Sequence, residues 1–215
     1  MIASCRFRSI VFALLAVVAG CAPAPPASDA SSDAPSDGSS VQLSVSGRIT
    51  PRMIDDMAPL FPPHGTPPRV VVFLASGGGD FGAALTMARW LENVPRSTAV
   101  VTSSCDSACL IIFASAHERL VDRRAVFGAH GPECNIKGWL GVPCRLFWEP
   151  WARAELHDRV ARASPSWIAY LDDQEPPAFV RSGTDFVRVT GSQLIGFGAA
   201  APLTRGTMQA ALTGE

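Results

Sequence analysis

The apolar run "RVVVFLAS" at residues 69–76 constrains this chain more than any other stretch. Continuous β-branched residues without polar alternation suit a strand buried on both faces, and such strands belong to parallel sheets covered by helices. A Gly triplet follows, and Ala84, Met87, Ala88 and Leu91 then recur at the spacing of one helix face. The same order appears on either side. "VQLSVSGRI" (41–49) alternates like a strand, and "TPRMIDDMAPLF" reads as a helix opened by Thr50 at the N-cap and Pro51 at N1. "STAVVTSS" predicts a third strand and "SACLIIFASA" a third helix. Three successive strand–helix units imply an α/β fold, its sheet mostly parallel, built from βαβ units with helices on both sides. Further on, "ERLVDRRAVFGAH" predicts one or two short strands. Helices are expected in "EPWARAELHDRVARA", "SPSWIAYLDD" and "TGSQLIGFG".

A chain of 215 residues suffices for one such domain with a sizeable core. Residues 1–20 are set apart as a signal peptide: Arg6 and Arg8 precede an apolar core too short to span a bilayer. The segment ends in "VAGC", which resembles a bacterial lipobox. That resemblance implies cleavage before Cys21, lipidation of its sulfur and a membrane anchor through it. Ala22 in place of Asp implies a periplasm-facing lipoprotein of the outer membrane in a bacterial cell envelope. Residues 21–40 are Pro/Ser/Ala/Asp-rich and read as a disordered tether, so the folded domain is expected at 41–215. A formal net charge of −1 gives no reason to expect a nucleic-acid partner.

An oxidising compartment makes disulfides the expected state of Cys105, Cys109, Cys134 and Cys144. Three pairings are open, of which Cys134–Cys144 with Cys105–Cys109 is favoured. A zinc set drawn from Cys105, Cys109, His130 and Cys134 is disfavoured for the same reason, and no metal or cofactor is implied.

In parallel sheets, sites form where loops leave the carboxyl ends of strands. Two such loops here carry chemically suggestive residues, Gly77–Gly79 and Cys105–Ala108. Ser107 alone reads as a helix cap; as a nucleophile it needs a base that something else orients. His130 ends the strand-like "AVFGAH" and is the best base. His64 lies in a Pro-rich connection, His117 reads as turn or surface, and His157 sits in a charged helix.

Together these residues carry a family resemblance. The chain resembles the Clp-type serine proteases and their ClpP/crotonase-like fold, especially small extracytoplasmic members with a C-x-S-A-C nucleophile motif. "VSGRIT" is similar to the opening strand and turn, and "LASGGGDFGAALTMARWL" to the Gly-rich segment, with Gly77 in place of a Pro. "CDSACLIIFASAHERLVDRRAVFGAHGP" is similar to the nucleophile helix and base, and "TDFVRVTGSQLIGFGAA" to the acid-bearing segment without its usual acidic pair. The resemblance spans residues 43–200. It implies Ser107 as nucleophile, His130 as general base and Asp185 as the acid, with Asp172 and Asp173 as rivals. It also implies an oxyanion hole from the N–H groups of Gly78 or Gly79 and of Ala108.

The expected activity is that of a serine hydrolase, a peptidase acting on peptide or protein. The alternative is an inactive crotonase-fold module that binds peptides or acyl groups. A Ser–Lys dyad would have to use Lys137, the one lysine of the chain, in a loop expected to be wet. The aromatic segment "GWLGVPCRLFWEPW" (138–151) is expected to cover the cleft, pack on the core or meet a partner, and a homo-oligomer is left open.

Overall fold

In the computed structural model, which describes residues 40–61, 69–134 and 148–214, the unbroken apolar run forms the strand β2 (Val70–Ser76). Val70, Val71, Val72 and Leu74 are all buried, as a strand covered on both faces requires. The signal segment 1–20, Cys21 and its tether through residue 39, His64, Lys137 and Cys144 lie outside the described residues.

Around β2 the elements follow in the expected order: β1 (Val41–Ser46), α1 (Pro51–Met57), α2 (Phe81–Asn93), β3 (Ser97–Asp106) and α3 (Cys109–Ser115). Then come β4 (Glu118–Val121), β5 (Val126–Ala129), α4 (Trp148–Ala163) and α5 (Pro165–Asp172). The chain ends with β6 (Val187–Thr190), α6 (Gly191–Gly196), β7 (Ala201–Pro202) and α7 (Arg205–Thr213). The sheet runs β1-β2-β3-β4-β7, all parallel; β5 adds to β3 in parallel, and β6 pairs antiparallel with β5. This is a mixed α/β architecture with a mostly parallel sheet.

Alternation along the strands decides which helices cover which face. Val70, Val72, Leu74, Ala99 and Val101 point into the main core with α2 and α3. Val71, Val100 and Leu120 point the other way, against Ala211, Met208 and Leu212 of α7. All seven residues of α3 are buried, and Phe113 packs against Phe127 and Trp167. Thr50, Asp80 and Ser164 cap α1, α2 and α5 through their side-chain oxygens. Arg159, almost fully buried on α4, donates to Ser115 Oγ at 2.6 Å and to Glu155, and it also pairs with Glu92 of α2. That cluster fixes α4 against α2 and α3.

The feature that shapes the site is a fork in β3. Thr98–Val101 pair with β4, whereas Ser104–Asp106 pair with β5. Between the two halves the register against β2 slips: Leu74 faces Val101 but Ser76 faces Cys105. Extra residues in one strand bend it and raise its twist. The strand therefore extends to Asp106, two residues past its expected end at Ser104, and its end turns toward β5.

Three further elements depart from the sequence expectation. β6, in "VRVT", was not expected. The segment "TGSQLIGFG", expected as a helix, yields α6, opened by a capping box between Thr190 and Gln193. β7 and α7 follow it. No helix among the described residues is long and apolar enough to cross a membrane.

Candidate active site

Ser107 stands between the end of β3 and the start of α3. Its φ is +56°, making it the one non-glycine residue with a positive φ among the described residues. A left-handed backbone at such a residue costs on the order of 1 kcal/mol, and it persists only where neighbours hold it. Here the Ser107 N–H donates to Gly128 O at 2.8 Å, and a disulfide joins Cys105 to Cys109 across the turn, with Cα atoms 5.3 Å apart. The Ser107 hydroxyl is not a helix cap, contrary to the plainer sequence reading. Ala108 occupies the N-cap position of α3 in helical geometry, with no side-chain bond. The hydroxyl instead meets His130 Nε2 at 2.6 Å.

That meeting follows from strand register. β5 lies parallel to the end of β3, with Cys105 opposite Phe127 and Asp106 opposite Gly128. Ser107 and His130 therefore emerge side by side from the carboxyl ends of adjacent parallel strands. The imidazole is half-buried, and desolvation lowers its pKa from the ordinary value, opposed by the negative charges of Glu133 and Asp106. Its other nitrogen, Nδ1, is buried without a hydrogen-bond partner among the described residues.

The three carboxylates considered for orienting the base lie elsewhere. Asp185 is 59% exposed and accepts from Arg181 Nη1 at 2.9 Å, so it does not orient His130. Asp172 pairs with His157 Nε2 at 3.0 Å, and Asp173 is the exposed C-cap of α5. His117 holds Ser97 Oγ at 3.0 Å on another part of the surface. The carboxylates that do bear on His130 are Asp106 and Glu133, which the sequence reading passed over. Their positions, directly before Ser107 and three residues after His130, were the available signal.

Glycines of the β2–α2 loop complete the site. Gly78, with φ +94°, lies so close to the nucleophile turn that a Cβ there would sit 2.8 Å from Asp106 O and 3.1 Å from Ala108 N. Gly79, with φ +150°, bridges to Ile49, whose carbonyl a Cβ would strike at 2.2 Å. Of the three N–H groups considered for an oxyanion, that of Gly78 is taken by Ser76 Oγ at 3.0 Å. Those of Gly79 and Ala108 have no acceptor among the described residues.

Gly79, Ser107, Ala108 and His130 all line one cavity of about 540 Å³. Its remaining wall mixes apolar Phe81, Ile111, Trp148 and Leu156 with charged Arg48, Asp80 and Glu133. Trp148 stands edge-on to Phe81 at 5.3 Å, so this described end of the aromatic segment lines the cleft. The Cys105–Cys109 disulfide leaves neither sulfur as a thiolate ligand, and no cluster among the described residues could hold a metal ion. Compared with protein-family models and with curated proteins, the chain matches none.

Proposed function

We propose that the chain is a serine hydrolase, a peptidase by preference, in which Ser107 is the nucleophile and His130 its general base. The observation that carries this reading is the 2.6 Å contact between Ser107 Oγ and His130 Nε2 on the wall of a cavity. Serine is a poor nucleophile until a base takes its proton, so that contact is the first requirement of the chemistry. With Nε2 accepting from the hydroxyl, the neutral imidazole carries its proton on Nδ1. Oγ attacks a carbonyl, the proton passes to Nε2, and the imidazolium returns it to the leaving amine or alcohol. The free N–H groups of Gly79 and Ala108 receive the developing oxyanion, for which each such donor is typically worth about 10²–10³ in turnover. Asp106 and Glu133 offset the charge on the imidazolium.

The forked β3, the mostly parallel sheet and a nucleophile at the head of a buried helix support a ClpP/crotonase-like fold. The lipobox-like "VAGC" supports attachment through Cys21 to a periplasm-facing bacterial membrane. One observation favours a second reading, a non-catalytic module that binds peptides or acyl groups in the same cavity: His130 Nδ1 meets no carboxylate among the described residues. A fluorophosphonate probe separates the two. Labelling of the wild-type chain and not of Ser107→Ala supports the hydrolase; equal labelling of both, or none, removes it.

A further inference from the structure

Among the described residues no carboxylate hydrogen-bonds His130 to orient it, yet its ring is packed into a closed set of contacts. The edge-to-face partner of the imidazole is Phe186, with centroids 4.5 Å apart and planes at 63°. The guanidinium of Arg188 lies over the Phe186 ring, 4.5 Å from its centroid. Arg188 Nη1 then donates to Asp106 Oδ1 at 2.7 Å. Asp106 is bonded in sequence to Ser107, whose hydroxyl returns to His130.

Strand register explains why the set closes. Arg188 on β6 is opposite Gly128 on β5, and Gly128 is opposite Asp106 on β3. The ion pair thus crosses a full strand, over a residue with no side chain. A Cβ on Gly128 would lie 2.5 Å from Asp106 Oδ1 and 2.7 Å from Arg188 Nη1. The same Gly128 accepts the Ser107 N–H through its carbonyl. One bare residue therefore supports both the nucleophile turn and the bridge above it.

We infer that Phe186, Arg188 and Asp106 are positioning residues for the base, dividing between them the work of the missing third carboxylate. Phe186 sets the plane of the imidazole, Arg188 holds Phe186 and Asp106 together, and Asp106 supplies negative charge beside the ring. This rests on the reading of Ser107 and His130 as nucleophile and base. Other charged groups around His130 are Glu133 on its own loop and Arg48 and Asp80 on the cavity wall. Of these, Glu133 acts on the ring in the same direction as Asp106.

The test uses the full chain, with two readouts: the rate of fluorophosphonate labelling against pH, and the NMR titration of His130, assigned with His130→Gln. Phe186→Leu and Arg188→Gln are expected to slow labelling by about 10- to 100-fold, the scale on which small misplacement of a reacting group acts. Phe186→Tyr, which keeps the ring, is expected to label like wild type. Asp106→Asn keeps an acceptor for Arg188 but removes the charge, so the His130 midpoint falls, and the acid limb of the labelling profile moves with it. Asp185→Asn is expected to change neither readout. Wild-type rates in Phe186→Leu, or an unmoved His130 midpoint in Asp106→Asn, would overturn the inference. So would a midpoint that moves in Asp185→Asn instead. Absence of labelling in wild type would remove the hydrolase reading, while the NMR titration would still decide whether Asp106 acts on His130.

Discussion

Gly78 lies against the nucleophile so closely that a Cβ at that position would fall 2.6 Å from the Cβ of Ser107. A Cβ moves only with its own backbone, so this contact cannot be relieved by a rotamer change. Its φ of +94° adds a second reason for glycine. Gly78→Ala is therefore expected to push the turn aside, lower stability by about 1–3 kcal/mol and slow labelling by about 100-fold. Gly77, one residue earlier, has open space around its Cβ direction and no positive φ. Gly77→Ala should stay within about 0.5 kcal/mol of wild type and keep its labelling. Denaturant unfolding and probe kinetics on the two variants check both statements.

Ser107 holds a conformation that its own Cβ disfavours, at φ +56°. Replacing it by glycine relieves that strain, whereas alanine retains it. Ser107→Gly is expected to be more stable than Ser107→Ala by about 1 kcal/mol, although neither is labelled. Equal stability of the two variants would mean that the backbone at this position is not strained.

Burial sets the pH at which the base works. Desolvation depresses the His130 pKa despite the opposing charges of Glu133 and Asp106. The imidazole is then neutral, and able to accept a proton, at and above neutral pH; activity is lost as pH falls through the depressed value. The acid limb of the labelling rate should have its midpoint below the ordinary imidazole value of about 6.5. A midpoint above that value would show that the nearby carboxylates outweigh burial.

Cys105 and Cys109 are fully buried, and their bond spans only the nucleophile turn. A cross-link closing so short a loop constrains the unfolded chain by on the order of 2 kcal/mol. Its larger consequence is local, since it closes the backbone around Ser107. The double variant Cys105→Ala/Cys109→Ala is expected to fold, lose about 2 kcal/mol of stability and label at least about 10-fold more slowly. Unfolding measurements beside probe kinetics separate the two effects; an unchanged labelling rate would leave the disulfide a purely structural role.

Much of this arrangement is legible in the residues themselves, where local physics decides the outcome. The run around Val70–Leu74 suits a buried strand, Thr50 and Pro51 open a helix, and Ala84, Met87, Ala88 and Leu91 mark the inner face of α2. Ser107 and His130 were found together because each ends a strand, and strand ends gather at one edge of a parallel sheet. What depended on register was not legible. The slip between Leu74 and Ser76 lengthens β3, and the row Arg188–Gly128–Asp106 requires β6, whose four residues carry little pattern of their own. The resemblance of its segment points to Asp185, but Arg181, four residues away, holds its carboxylate at the surface. The N–H of Gly78 was indistinguishable from that of Gly79 until Ser76 Oγ was seen to occupy it.

The most direct measurement is site-resolved mass spectrometry of the chain after reaction with a fluorophosphonate. The expected result is a single phosphonyl adduct on Ser107 in wild type, strongly slowed in His130→Ala and absent in Ser107→Ala. An adduct elsewhere, an equal rate in His130→Ala, or no adduct in wild type would contradict the assignment of Ser107 and His130 as nucleophile and base.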